Sequence, residues 1–155
     1  MRADDVFRAE LHDTIRALRA WAESLSDVAT VDLSEADRHW RLRLVPHEAA
    51  ACPVEVILYS DQRFDLAVGP ETYEGLAALA LSRFAPLLDA ITQGRVVTRT
   101  WSTLATGAHL ATATIVEAAD GPWQHERETA AIARAADRDA CSVRDRHYAP
   151  YRRPL

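Results

Sequence analysis

Residues 40–94 constrain the fold of this chain more than any other stretch. Trp40, Leu42 and Leu44 alternate with Arg41 and Arg43, which is the period of a strand buried on one face only. Residues 54–59 and 63–68 follow as two further strands rich in β-branched and aromatic side chains. A two-residue turn at Asp61-Gln62 would set Tyr59 opposite Phe64 and Ile57 opposite Leu66. Residues 71–93 then carry Tyr73, Leu76, Ala77, Ala80, Leu81, Phe84, Leu87, Leu88 and Ile91, which read as the apolar face of a long helix covering the strands. Gly69-Pro70 breaks the third strand, and a proline beside a helix start loses little by lacking an N–H. Pro86 predicts a kink, or two helices meeting near Phe84-Ala85. Gly94 ends the segment.

The flanks fit round this centre. Phe7, Leu11, Ile15, Leu18, Ala22 and Leu25 recur at helical spacing and predict a first helix over residues 4–26, its stripe meeting either the core or a second copy. Residues 27–37 read as a polar connection with a capping box at Ser34–Asp37. Residues 95–104 and 109–117 predict a hairpin turning at Thr106-Gly107, its second strand mostly Ala and Thr. Residues 126–136 suggest an Ala-rich helix. The expected order is helix, three strands, kinked helix, two strands, helix. It makes a two-layer α+β domain with a predominantly antiparallel sheet over residues 1–143, and a basic aromatic arm over 144–155. That order resembles the one in small dimeric secretion chaperones, an analogy of element order without a shared motif.

A chain of 155 residues can bury a core as one domain. No apolar run approaches the roughly 20 residues of a membrane span. The start, Met-Arg-Ala-Asp-Asp, lacks the basic and apolar blocks of a signal peptide, so a cytoplasmic location is expected. Cys52 and Cys141 fit reduced thiols there, although Cys52 has His47 five residues upstream. Every strong cation is arginine, with no lysine and no asparagine, as a GC-rich bacterial genome would give. The net charge of −5 is uneven: residues 144–155 hold four arginines against Asp145, a net of +3, leaving −8 in the body. An acidic body repels a phosphate backbone, so nucleic acid is an unlikely partner.

Chemical motifs are sparse. The six histidines form no HExxH or Cys/His ligand spacing, which argues against a metal. Five scattered glycines make no phosphate-cradling loop, and no cofactor is expected. No GxSxG elbow occurs, so no catalytic residue is assigned. The best ligand-binding constellation is Arg99, Trp101 and His109 on the hairpin, with Glu117 nearby; alternation puts Arg99 and Trp101 on one face. The tail interleaves Arg144, Arg146, Tyr148, Tyr151, Arg152 and Arg153, a composition that can wrap an acidic surface. These features point to a non-enzymatic protein-binding module, adaptor- or chaperone-like, partnered by another protein or by its own copy as a homodimer. The alternative is a small enzyme or ligand-binding domain with its pocket between the sheet and the broken helix.

Overall fold

The computed structural model describes residues 2–77, 80–129 and 141–152. Among these, helix α1 (Ala3–Glu23) precedes strands β1 (Ala29–Ala36), β2 (His39–Pro46), β3 (Val54–Tyr59), β4 (Arg63–Val68) and β5 (Glu71–Ala77). A 3-10 turn (Leu81–Arg83) and helix α2 (Phe84–Thr92) follow, then β6 (Val96–Thr103), β7 (His109–Ala118), β8 (Gly121–Glu128) and β9 (Cys141–His147). The fold is mixed α and β with antiparallel sheets, as expected, but there are two of them. Strands β1 to β5 meander in chain order, and the second sheet runs β8-β7-β6-β9. The chaperone analogy rested on an order the chain does not have.

The first sheet keeps its alternation. Trp40, Leu42 and Leu44 are buried, and so are Val54, Val56 and Leu58 of β3 and Phe64, Leu66 and Val68 of β4. Leu58 pairs with Phe64 and Val56 with Leu66, one residue away from the expected register. The turn therefore spans three residues, Ser60 to Gln62, with Gln62 left-handed at φ +69°. Residues 27–37 correct a second expectation. Val31 and Leu33 pair with Leu44 and Leu42, so β1 is a strand rather than a capped connection.

The long helix over 71–93 is the largest correction. Gly69-Pro70 is a two-residue hairpin turn, since Val68 pairs directly with Glu71. Gly69 has φ +58°, the conformation that Gly-X hairpin turns need at their first central position. Only the later part of the segment is helical. Pro86 is the third residue of α2, within the first turn, where N–H groups have no helical partner in any case. Of the two alternatives expected at Pro86, the structure has the second: the 3-10 helix ends at Arg83 and α2 begins at Phe84, so two helical pieces meet just before the proline.

Helix α2 packs on β7, and Phe84 meets Phe64 of β4 edge to face, with centroids 5.0 Å apart. Both sheets thus share one helix. The predicted stripe packs against the core, with Leu18 and Ala22 fully buried, Leu11 and Ile15 of α1 and Leu25 just beyond it half-buried, and Trp21 half-buried at its side. In the second sheet, residues 126–128, expected to begin a helix, belong to β8, and the rest of that stretch beyond Thr129 lies outside the described residues. The arm is also corrected. Residues 144–147 lie in β9, paired along β6 from Val97↔His147 to Thr103↔Cys141.

After β9 the chain passes back through the body. The Ala149 N–H donates to the Ala50 carbonyl at 2.9 Å and the Tyr151 N–H to the Thr92 carbonyl at 2.7 Å. The Tyr151 hydroxyl donates to the Cys52 carbonyl at 2.6 Å.

Phe84→Ala should cost roughly 3–5 kcal/mol in denaturant melts, because it opens a cavity that both sheets border; a loss below about 1 kcal/mol would mean the shared core is misdescribed. A Cβ on Gly69 would sit 2.8 Å from the Tyr148 hydroxyl, whereas one on Gly107, also left-handed at φ +71°, would meet nothing within 4 Å. Gly69→Ala should therefore lower the melting temperature more than Gly107→Ala, which carries the backbone strain alone. Equal losses would show that Tyr148 does not pack there.

Candidate functional site

Strand β6 divides the second sheet into two chemically different faces. Arg99 and Trp101 point to one, and Thr98, Thr100 and Ser102 to the other. On the first face, the Arg99 Nε and Nη2 donate to the two Asp145 oxygens at 2.8 and 3.0 Å. This pair holds the Asp145 carboxyl below its usual range. Trp101 sits across from Val143 of β9 and Ala111 of β7.

His109 belongs to the other face. A bulge between Trp101 and Ser102 sets it opposite Ser102, and its Nε2 shares a 2.7 Å hydrogen bond with the Thr112 hydroxyl. Glu117 is eight residues along β7, roughly 27 Å at strand rise. The structure therefore keeps Arg99 and Trp101 together and separates both from His109.

The hydroxyl face is built in rungs by the strand registers. His125, Thr114, Thr98 and Arg146 form one rung; Arg127, Thr112, Thr100 and Arg144 form the next. His109, Ser102 and Ser142 follow at the open end. The first rung is half inside the core. The Thr114 hydroxyl shares a 2.6 Å hydrogen bond with Tyr73 of β5, and Thr98 shares one of 3.2 Å with Tyr148. Beyond it the face opens into a cleft of about 620 Å³ that includes Thr100, Ser102, Ser142 and Arg144.

Charges on this face are mostly positive. Arg127 lies 3.8 Å from Glu71 and 5.5 Å from the centre of the Tyr73 ring. The Arg146 guanidinium rests 5.0 Å from the centre of the Tyr148 ring, a stacked position that orders it. Among the described residues, neither Arg144 nor Arg146 has a carboxylate within ion-pair distance, and both are exposed. Several other arginines are neutralised. Arg41, on the outer face of the first sheet, donates to Glu55 Oε2 at 2.9 and 3.1 Å and reaches Asp32 at 3.4 Å.

The other tail residues divide. Tyr148 is buried and Tyr151 half-buried, both bonded within the body, so their aromatic surface is spent internally. Arg152 is exposed, and Arg153 lies outside the described residues. The alternation Arg144-Asp145-Arg146 was the missed signal, since a period of two belongs to a strand and places both arginines on one side.

Cys52 is closed to chemistry at neutral pH. It is fully buried beside Gly69, its thiol donates to the Pro53 carbonyl, and burial pushes its pKa up to about 12. A nucleophilic cysteine needs the opposite shift. Among the described residues, no group of three or more His, Cys, Asp or Glu side chains is placed to hold a metal ion, and no helix is long and apolar enough to cross a membrane. No protein-family model, no curated protein and no solved structure matches the chain.

The raised thiol gives a pH dependence. Folded Cys52 keeps its proton up to about 12, while the unfolded chain releases it near the ordinary value of 9.0. Stability should fall as pH rises from about 9 towards 12. The Tyr151 hydroxyl, also raised by burial, acts in the same direction. At pH 8, a Cys141→Ser protein should react with a thiol reagent only once unfolded; prompt stoichiometric labelling of the native protein would contradict the burial of Cys52.

Proposed function

We propose that this chain is a non-enzymatic binding module, adaptor- or chaperone-like, that holds a partner protein on the hydroxyl face of its second sheet. The observation that carries this reading is the exposed Arg144 and Arg146 beside Thr100, Ser102 and Ser142, at the terminal strand of the sheet, in a chain of net charge −5. A local cationic surface on an acidic molecule steers anionic partners to one place and repels them elsewhere. The terminal strand also offers backbone N–H and C=O groups to an incoming chain.

Two alternatives are weaker. A ligand pocket between the first sheet and the α2 region finds no room where Phe64 meets Phe84, since the crevice there has about 10 Å³; the cleft of about 560 Å³ at the other end of α2, beside Asp27, Asp89, Thr92 and Tyr151, brings together two carboxylates and no cation. A second copy adding to β9 would meet its own charges. Antiparallel pairing centred on Arg144, Asp145 or Arg146 sets like charge opposite like charge. The α1 stripe, a motive for a homodimer in the sequence, is already packed on its own sheet.

Site-specific photocrosslinking in the native cell tests the reading. A crosslinker at Ser142 should capture a defined protein, identified by mass spectrometry, whose yield falls when Arg144→Gln is added. The same crosslinker at Val45, exposed on the outer face of the first sheet, should not capture it. Equal capture at both positions, or none at Ser142, would overturn the proposal. Recovery of the chain's own copy would replace the adaptor with a homodimer.

A further inference from the structure

Resting on the reading of this chain as a binding module, we infer that the occupant of the hydroxyl face is an extended acidic peptide. It is a segment of the partner with Glu or Asp at alternate positions, added along β9. Three features of the face converge on that chemistry.

The first is spacing. Arg144 and Arg146 are two residues apart on one strand and face the same side, paired with Thr100 and Thr98. Their Cα atoms are therefore about 6.8 Å apart, which is also the repeat of side chains on one face of an added strand. Carboxylates at alternate positions of the peptide would meet one guanidinium each, while adjacent carboxylates would point to opposite faces.

The second is the supply of donors. Thr100, Ser102, Thr103, Ser142 and Arg144 line the cleft of about 620 Å³ beside Leu104. Hydroxyls can donate to the carboxylate oxygens left free by a guanidinium. An aromatic anchor would find Leu104 as the one large apolar side chain in that lining.

The third is the edge. Among the described strands, β9 pairs only with β6, and its residues Ser142 to His147 are exposed, which leaves that stretch accessible to an extended chain. The same strand resists its own copy by charge, whereas an acidic strand meets Arg144 and Arg146 with complementary sign. Arg146, held over the Tyr148 ring, is ordered before the ligand arrives, which reduces the entropy lost on binding.

The test is fluorescence anisotropy with short fluorescein-labelled peptides and the full chain. The probe has Glu at alternate positions separated by Val and Thr; its comparators carry Gln in place of Glu, the same Glu residues placed contiguously, or phosphoserine in place of Glu. The Glu probe should bind, weaken steeply with added salt, and lose about tenfold in affinity with Arg144→Gln, the effect of one charge-assisted contact. Arg43→Gln, an exposed arginine on the outer face of the first sheet, should leave binding unchanged. Unaltered melting temperatures would show that both variants fold. Amide shifts confined to β9 and β6 in NMR spectra would place the peptide on the edge.

Equal binding of the Gln peptide, equal binding of the contiguous-Glu peptide, or equal loss with Arg43→Gln would overturn the inference. So would binding of the phosphoserine peptide with no binding of the Glu probe. If the Glu probe fails while the Ser142 crosslinker still captures an Arg144-dependent partner, the acidic peptide is wrong and the binding module stands. If both fail, both readings fall.

Discussion

Two sheets share one short helix, and the rest of the structure follows from that economy. Six of the nine residues of α2 are buried: Phe84, Leu87, Leu88, Ala90, Ile91 and Thr92. A helix with only Ala85, Pro86 and Asp89 left towards solvent serves both sheets along most of its surface, and the seams around it are closed by other elements. Tyr73 closes one seam, crossing from β5 to bond Thr114 and to meet Trp123 of β8. The C-terminal segment closes another, through Tyr148 against Gly69 and Thr98 and through Tyr151 against Cys52 and Thr92. The bonds at these seams are polar and largely buried. Losing one partner would leave a desolvated hydroxyl at a cost of about 1–3 kcal/mol, so the seams fix the geometry of the sheets as well as covering the core.

What the sequence made legible was alternation, and what it hid was connection. β2, β3 and β4 are readable because each carries apolar residues at every second position against a single core. The register between β3 and β4 was not, because it depends on whether the turn holds two or three residues. A one-residue slip moves a whole strand's apolar set to the wrong face. Gly69-Pro70 posed a similar ambiguity. It suits both a helix start and a hairpin turn, and the Glu, Ala and Leu after it favour helix by local propensity. Pairing with β4 and the burial of Tyr73 against the second sheet outweigh that propensity in β5, and neither is local. β1 and β9 were hidden differently: their alternation is written largely in charged or half-buried residues, which a search for apolar runs passes over.

The same distinction governs the candidate site. Reading β6 for chemistry drew attention to Arg99 and Trp101, the large side chains, and away from the threonines between them. The register of β9 then reverses the emphasis, because it places Asp145 against Arg99 and Arg144 against Thr100. One face is thereby neutralised and the other left cationic by residues more than 40 positions distant in sequence. No inspection of the hairpin alone could have found that.

Arginine identity carries little information in a chain whose strong cations are all arginine; pairing carries more. On the outer face of the first sheet Arg41 is shared between Glu55 and Asp32, and at the nearest turn Arg63 is held by Asp61. On the second sheet Arg99 is held by Asp145. These pairs are exposed or only half-buried, so each adds little to stability. Their effect is instead to cancel the field over the surfaces they occupy. On the face carrying Arg144 and Arg146 two arginines stand side by side without such cancellation among the described residues, and Tyr148 links that face to the core through Thr98. Removing the tail beyond β9 would therefore disturb two things together: the closure of the seam beside α2, and the stacked position of Arg146 on the cationic face. The residues that shape the surface for a partner are thus anchored in the contacts that keep the two sheets in place.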